Sequence, residues 1–167
     1  CGTSYNAGMV AKYWIEEFAH LECFVDIASE YRYSKVPPRN DTLIVSLSQS
    51  GETADTLASV KYAHDLGMTD TLAICNVAES SLLRLSKLSI LTKAGPEIGV
   101  ASTKAFTAQL VTVLYLANSL AKAKGHLTKV DEEERIRQIR RLPQLVIDTF
   151  VLENKLELIA KEMEYKQ

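Results

Sequence analysis

The 167-residue sequence predicts an α/β fold: a doubly wound parallel sheet with helices on both faces, followed by an all-helical C-terminal extension. Three observations carry this. Short apolar runs alternate with stretches of helical period. Runs such as Thr42-Leu43-Ile44-Val45 are apolar at consecutive positions, as in strands buried on both faces of a parallel sheet. Hydroxyl-rich turns recur where an apolar run hands over to a helix.

Taken in order, Cys1 reads as the last residue of a first strand cut short before it. A terminal Cys can also be a nucleophile activated by its own amine, but nothing beside Cys1 supplies further catalytic machinery. From Asn6 to Ala19, Met9, Val10, Tyr13, Trp14 and Phe18 form one helical stripe, with Lys12, Glu16 and Glu17 off it. Cys23 to Ile27 reads as a short strand, Ser29 to Ser34 as a helical turn and Pro37 to Asp41 as a loop. Thr42 to Ser46 is a strand. Ala54 to Leu66 is a helix stopped by Gly67. Thr69 to Cys75 is a strand, Ser81 to Leu85 a short helix and Leu88 to Thr92 a further strand. Lys104 to Lys124 is a long helix closed by Gly125.

Beyond Val130 the pattern is helical only. Val130, Ile136, Ile139 and Leu142 keep helical spacing among many charges. Pro143 suits the first turn of a new helix, whose apolar stripe is Leu145, Val146, Phe150, Leu156, Ile159 and Met163. The chain thus divides into 1–126, the α/β part, and 127–167, a helical extension.

Composition narrows the function. A net charge of -2 provides no basic field for nucleic acid. No apolar stretch approaches the ~18 residues of a membrane span, and no export leader is visible. The three cysteines, Cys1, Cys23 and Cys75, match neither a metal knuckle nor a redox pair. An odd count without an export signal fits the reducing cytoplasm. Cys23 and Cys75 read as small core residues. His20, His64 and His126 read as surface or packing histidines without a partner, and no metal site is predicted. A P-loop and a Gly-x-Gly-x-x-Gly fingerprint are both absent.

Three turns remain. Gly2-Thr3-Ser4, the stretch Ser48-Gln49-Ser50-Gly51-Glu52-Thr53, and the stretch from Gly95 to Thr103 each follow a strand and open a helix. In an open parallel sheet, ligands bind at the carboxyl ends of strands. Helix N-termini offer unpaired N–H groups and positive potential to anions. Hydroxyls add donors, and Gly51 lets the backbone approach a ligand. Ser and Thr are also ordinary helix caps, but the Ser48 to Thr53 turn holds more hydroxyls than capping uses. A phosphate monoester suits it, with sugar hydroxyls at a neighbouring cluster. Glu52 is the discordant residue, since a carboxylate aimed at phosphate repels it.

"CGTSYNAG", "SLSQSGETADT", "AICN" and "EIGVASTKAFTAQ" closely resemble the sugar isomerase (SIS) domains of the glutamine–fructose-6-phosphate aminotransferase family, from Cys1 to about Gly125. The resemblance implies a SIS-type parallel sheet of about five strands. It implies that Ser48, Gln49, Ser50 and Thr53 hold the sugar phosphate, and that Thr3, Ser4, Val100 and Ser102 line the sugar. The family reaction makes glucosamine 6-phosphate and glutamate from fructose 6-phosphate and glutamine, without metal or organic cofactor. The implied partners are fructose 6-phosphate or glucosamine 6-phosphate, a second SIS subdomain, a glutaminase domain of the same chain, and a second copy in a homodimer. Residues 127–167 are similar to the connector leading to the second SIS subdomain. Positions matching the family's catalytic Lys, Glu and His are absent, so the stretch is expected to be inactive alone. A non-catalytic sugar-phosphate sensor and a phosphosugar aldose–ketose isomerase are the rival readings.

Overall fold

The computed structural model describes residues 2–35, 37, 39, 41–99 and 102–164. The chain forms two compact units, 1–127 and 128–167.

In the first unit, helix α1 (Gly2–Ala19) and the single turn α2 (Ala28–Tyr31) precede strand β1 (Ile44–Ser48). Then follow α3 (Ala54–Asp65), β2 (Thr71–Cys75), α4 (Ser81–Leu85), β3 (Leu88–Leu91) and α5 (Lys104–Ala123). The sheet is parallel, in the order β1-β2-β3, with Ile44 opposite Thr71 and Leu72 opposite Leu88. Parallel neighbours need crossover connections, and the helices provide them.

Strand β2 is buried along its whole length, and successive side chains point to opposite faces. On one face Leu72 and Ile74 meet Ala11 and Ile15 of α1 and Val113 and Ala117 of α5. On the other, Ala73 meets Val60 of α3 and Leu82 of α4. Burying each of the larger side chains contributes about 1.5–3 kcal/mol. The doubly wound arrangement is therefore centred on one strand.

The α1–α5 contact is built on residues four apart. Ala7, Ala11, Ile15 and Ala19 are the buried positions of α1, and Ala105, Gln109, Val113, Ala117 and Ala121 those of α5. Ridges of small residues at this spacing let two helices approach closely.

Several expectations are corrected. Among the described residues the sheet has three strands, not about five. Cys23 to Ile27 forms no strand. The backbone groups of Cys23 are taken by α1 side chains: its carbonyl accepts from Lys12 Nζ (2.6 Å) and its N–H donates to Glu16 Oε1 (3.4 Å). Burial on both faces holds for β2 but not for β1, where Val45 is 36% exposed. Strand β3 is exposed throughout. Apolar continuity marks β1 and β3 as strands of a parallel sheet, but they are its outer strands here. Cys1 lies outside the described residues.

The second unit contains α6 (Lys129–Thr149), a 3₁₀ turn (Phe150–Leu152) and α7 (Glu153–Met163). Thr128 caps α6 through Oγ1, which accepts from the Asp131 N–H. Pro143 does not start a helix; it lies inside α6. An interior proline loses one ladder bond and costs ~3 kcal/mol. No residue of α6 is buried, so water can solvate the freed carbonyl. The apolar stripe from Leu145 to Met163 is exposed.

Two glycines test the packing. Gly51 and Gly67 both have positive φ, +68° and +84°. A Cβ at Gly67 meets nothing within 4 Å, whereas one at Gly51 would lie 2.3 Å from Ser80 Oγ and 2.9 Å from Cys75 Sγ. Gly67→Ala is expected to cost only the backbone term, roughly 1–2 kcal/mol. Gly51→Ala adds about 1–3 kcal/mol of overpacking. Urea denaturation of the two variants measures the difference; equal midpoints would contradict the close approach at Gly51.

Candidate anion site at the carboxyl edge of the sheet

Strand β1 ends at Ser48, which is buried. Ser48 Oγ accepts the Gly51 N–H at 2.9 Å and folds the chain back. Ser50 Oγ accepts the Glu52 N–H at 3.2 Å. The Gly51 carbonyl accepts the Leu82 N–H at 3.0 Å, and that of Gln49 accepts the Asn76 N–H at 3.2 Å. Cys75 Sγ donates to the Gln49 carbonyl at 3.5 Å. The turn therefore rests on β2 and α4.

Thr53 is the N-cap of α3, in an extended conformation, and no side chain makes a capping bond there. Among the described residues, the first N–H groups of α3 have no protein acceptor, and neither have the hydroxyl hydrogens of Ser50 and Thr53. A helix N-terminus with open donors carries about half a positive charge. Ser48, Gln49 and Ser50 thus lie in the turn that leads to this open helix end, and Thr53 is its N-cap residue.

Three nearby carboxylates, those of Glu52, Asp55 and Glu97, are engaged by other groups. Glu52 Oε1 accepts the Ser81 N–H at 2.7 Å, at the first turn of α4. The discordance seen in the sequence is resolved, because the carboxylate is bound to another helix. That bond, with the Ser81 hydroxyl and Arg84 nearby, holds the Glu52 carboxyl below the usual carboxylate range. Asp55 in α3 pairs with Arg32 Nη1 at 2.8 Å. Glu97 accepts from the Ala105 N–H at 2.9 Å and from Thr103 Oγ1 at 3.0 Å. The Ala105 bond comes first in lowering the Glu97 pKa, with the Thr103 bonds and Lys104 assisting. So the N-terminus of α5 already holds a carboxylate, whereas that of α3 is open.

Thr3 and Ser4 lie in the first turn of α1, half-buried. Ser4 Oγ accepts from Gln109 Nε2 of α5 at 3.0 Å. This brings the start of α1 beside α5, at the carboxyl edge of the sheet. Ser102 is half-buried just before α5, and Val100 lies outside the described residues.

Sequence reasoning missed the roles of Asn76, Glu97 and Gln109. Asn76 donates from Nδ2 to the Gly95 carbonyl (2.7 Å) and accepts the Ala94 N–H (2.8 Å). With its own N–H on Gln49, it ties the turn before α3 to the segment before α5. Asn at a strand's carboxyl end was its only available signal. His20 and His126 are packing histidines against each other, their rings edge-on with centroids 4.5 Å apart. Cys75 is buried as expected, and Cys23 is half-buried, its thiol pKa raised by that burial.

A shallow hollow at the opposite, amino edge of the sheet is lined in part by Asp41, Asp70 and Lys87. Its lysine is paired with Asp70 at 2.6 Å, so its charge does not favour an anion. No described helix is long and apolar enough to cross a membrane.

The fold and this edge define a class. The SIS-domain family matches residues 1–119, and the chain belongs to that family. More particularly, it is 54% identical over 161 residues to the isomerizing glutamine–fructose-6-phosphate aminotransferase of Pseudomonas syringae pv. tomato, covering 96% of this chain and 26% of that enzyme. It is 49% identical over 166 residues to the same enzyme of Haemophilus influenzae, covering 99% and 27%. The C-terminal domain of glucosamine-fructose-6-phosphate aminotransferase from Francisella tularensis superposes with a TM-score of 0.94 at 45% identity, over 99% of this chain and 47% of that one. The chain spans about a quarter of the length of the curated relatives it matches.

The two carboxylate contacts set a pH dependence. Glu52 and Glu97 have pKa values lowered by folding. Their stabilisation is therefore present above the ordinary carboxylate range and lost as pH falls through the lowered values. Glu52→Gln and Glu97→Gln are expected to be less stable than the parent at pH 7 and to converge with it in acid. Thermal melts across pH check this; a gap independent of pH would contradict the assigned charges.

Proposed function

We propose that this chain is the sugar-phosphate-holding part of an enzyme that converts fructose 6-phosphate and glutamine to glucosamine 6-phosphate and glutamate. The observation that carries the reading is the uncapped N-terminus of α3, which follows the Ser48-Gln49-Ser50 turn and has Thr53 at its N-cap, with Glu52 and Asp55 bound elsewhere. Identity near half to aminotransferases over the chain's full length supports the choice of enzyme.

In this reading the phosphate dianion sits against the N–H groups at the start of α3 and the hydroxyls of Ser50 and Thr53. Thr3, Ser4, Val100 and Ser102 face the sugar. This chain's residues bind and orient the phosphosugar, while proton transfer and amination are carried out by residues beyond it. Residues 127–167 lead to a second SIS subdomain, and the working protein adds a glutaminase domain and pairs as a homodimer. The exposed apolar stripe of α6 and α7 fits a segment that is covered in that larger protein.

Calorimetric titration of the intact protein with glucosamine 6-phosphate tests the site. Bonds to a charged group are worth about 1.5–3 kcal/mol each, so Ser50→Ala and Thr53→Ala should each weaken binding by roughly tenfold or more. Unchanged affinity in both variants would refute the phosphate assignment. Turnover without glutamine or ammonia would favour an aldose–ketose isomerase, and binding without any turnover would favour a sensor.

A further inference from the structure

Gln109 stands out on the ridge that joins α5 to α1. Its buried neighbours four residues apart are Ala105, Val113, Ala117 and Ala121. Gln109 is 2% exposed, and its Oε1 has no hydrogen-bond donor among the described residues. A buried amide with an unpaired oxygen is unfavourable, and each such group in a folded protein calls for an explanation. An aliphatic side chain of the same volume would fill this place without that cost. The amide is therefore present for its other end, where Nε2 donates to Ser4 Oγ at 3.0 Å.

That bond has a directional consequence. A serine hydroxyl has one hydrogen and two acceptor lone pairs. With one lone pair taken by the Gln109 N–H, the hydroxyl hydrogen turns away from Gln109. Among the described residues it has no acceptor. Either orientation of the amide leaves two of its polar groups without a described partner; in the one found, Nε2 is the donor and Ser4 Oγ the acceptor.

We infer that Gln109 is a positioning residue: it fixes the Ser4 hydroxyl so that Ser4 donates its hydrogen to an oxygen of the bound phosphosugar. The inference rests on the reading of Ser4 as a sugar contact, and it adds a residue that makes no ligand contact itself. Gln109 acts on the sugar half of the site and leaves the phosphate half at α3 untouched.

The test is calorimetry on the intact protein with two probes, fructose 6-phosphate and inorganic phosphate. The proteins are the parent, Ser50→Ala, Ser4→Ala, Gln109→Met and the Ser4→Ala/Gln109→Met double variant. Methionine keeps the length and volume of glutamine and removes the donor. Gln109→Met should weaken fructose 6-phosphate binding about tenfold, the worth of one oriented hydrogen bond, and leave phosphate binding unchanged. In the Ser4→Ala background it should cause no further loss. Three results would overturn the inference while Ser50→Ala still weakens both probes: parental affinity in Gln109→Met, equal losses for both probes, or additive losses in the double variant. If the parent binds neither probe, or Ser50→Ala changes nothing, the proposed site itself fails and takes this inference with it.

Discussion

The site at the carboxyl edge depends on the absence of a side chain at Gly51. Its backbone lies so close to Ser80 and Cys75 that no Cβ fits, and its φ of +68° is one that other residues adopt only under strain. The close approach lets the Gly51 carbonyl accept from Leu82 and its N–H donate to Ser48. Those two bonds hold the turn against α4 and the end of β1. The turn in turn aims α3 so that its open end faces the carboxyl edge. A local backbone constraint is thus carried through packing into an anion-binding geometry.

The second determinant is the placement of charge. Three carboxylates lie within or beside the hydroxyl-rich turns, and each is bound where its charge is useful. Glu52 serves the start of α4 and Glu97 the start of α5, both positive helix ends. Asp55 is paired with Arg32. Among the described residues, the N-terminus of α3 is left open, with no side-chain cap and no carboxylate bound to it. An open helix end of this kind suits an anion without a fixed cation.

Much of this was legible in the sequence. The helices were marked by their period, and Gly67 and Gly125 by their positions just past two helix ends. Glu52 was visible as an anomaly, but its partner was not, because Ser81 lies 29 positions away and meets it only in the fold. The same holds for Gln109 and Ser4, 105 positions apart. Cys23 to Ile27 has strand-like residues, but a strand also needs a neighbour to pair with, which composition does not report. Pro143 looked like a boundary because it breaks a ladder bond; an exposed helix tolerates that break, and exposure is a property of the fold.

The central claim is that the open end of α3 receives the phosphate. Backbone amide shifts during titration of the intact protein with inorganic phosphate measure it residue by residue. The account predicts that the largest shifts fall on the amides from Ser50 to Thr56, with the Ala105 amide, already bound to Glu97, nearly unmoved. Largest shifts at the start of α5, or at Asp41, Asp70 and Lys87 on the opposite edge, would contradict it.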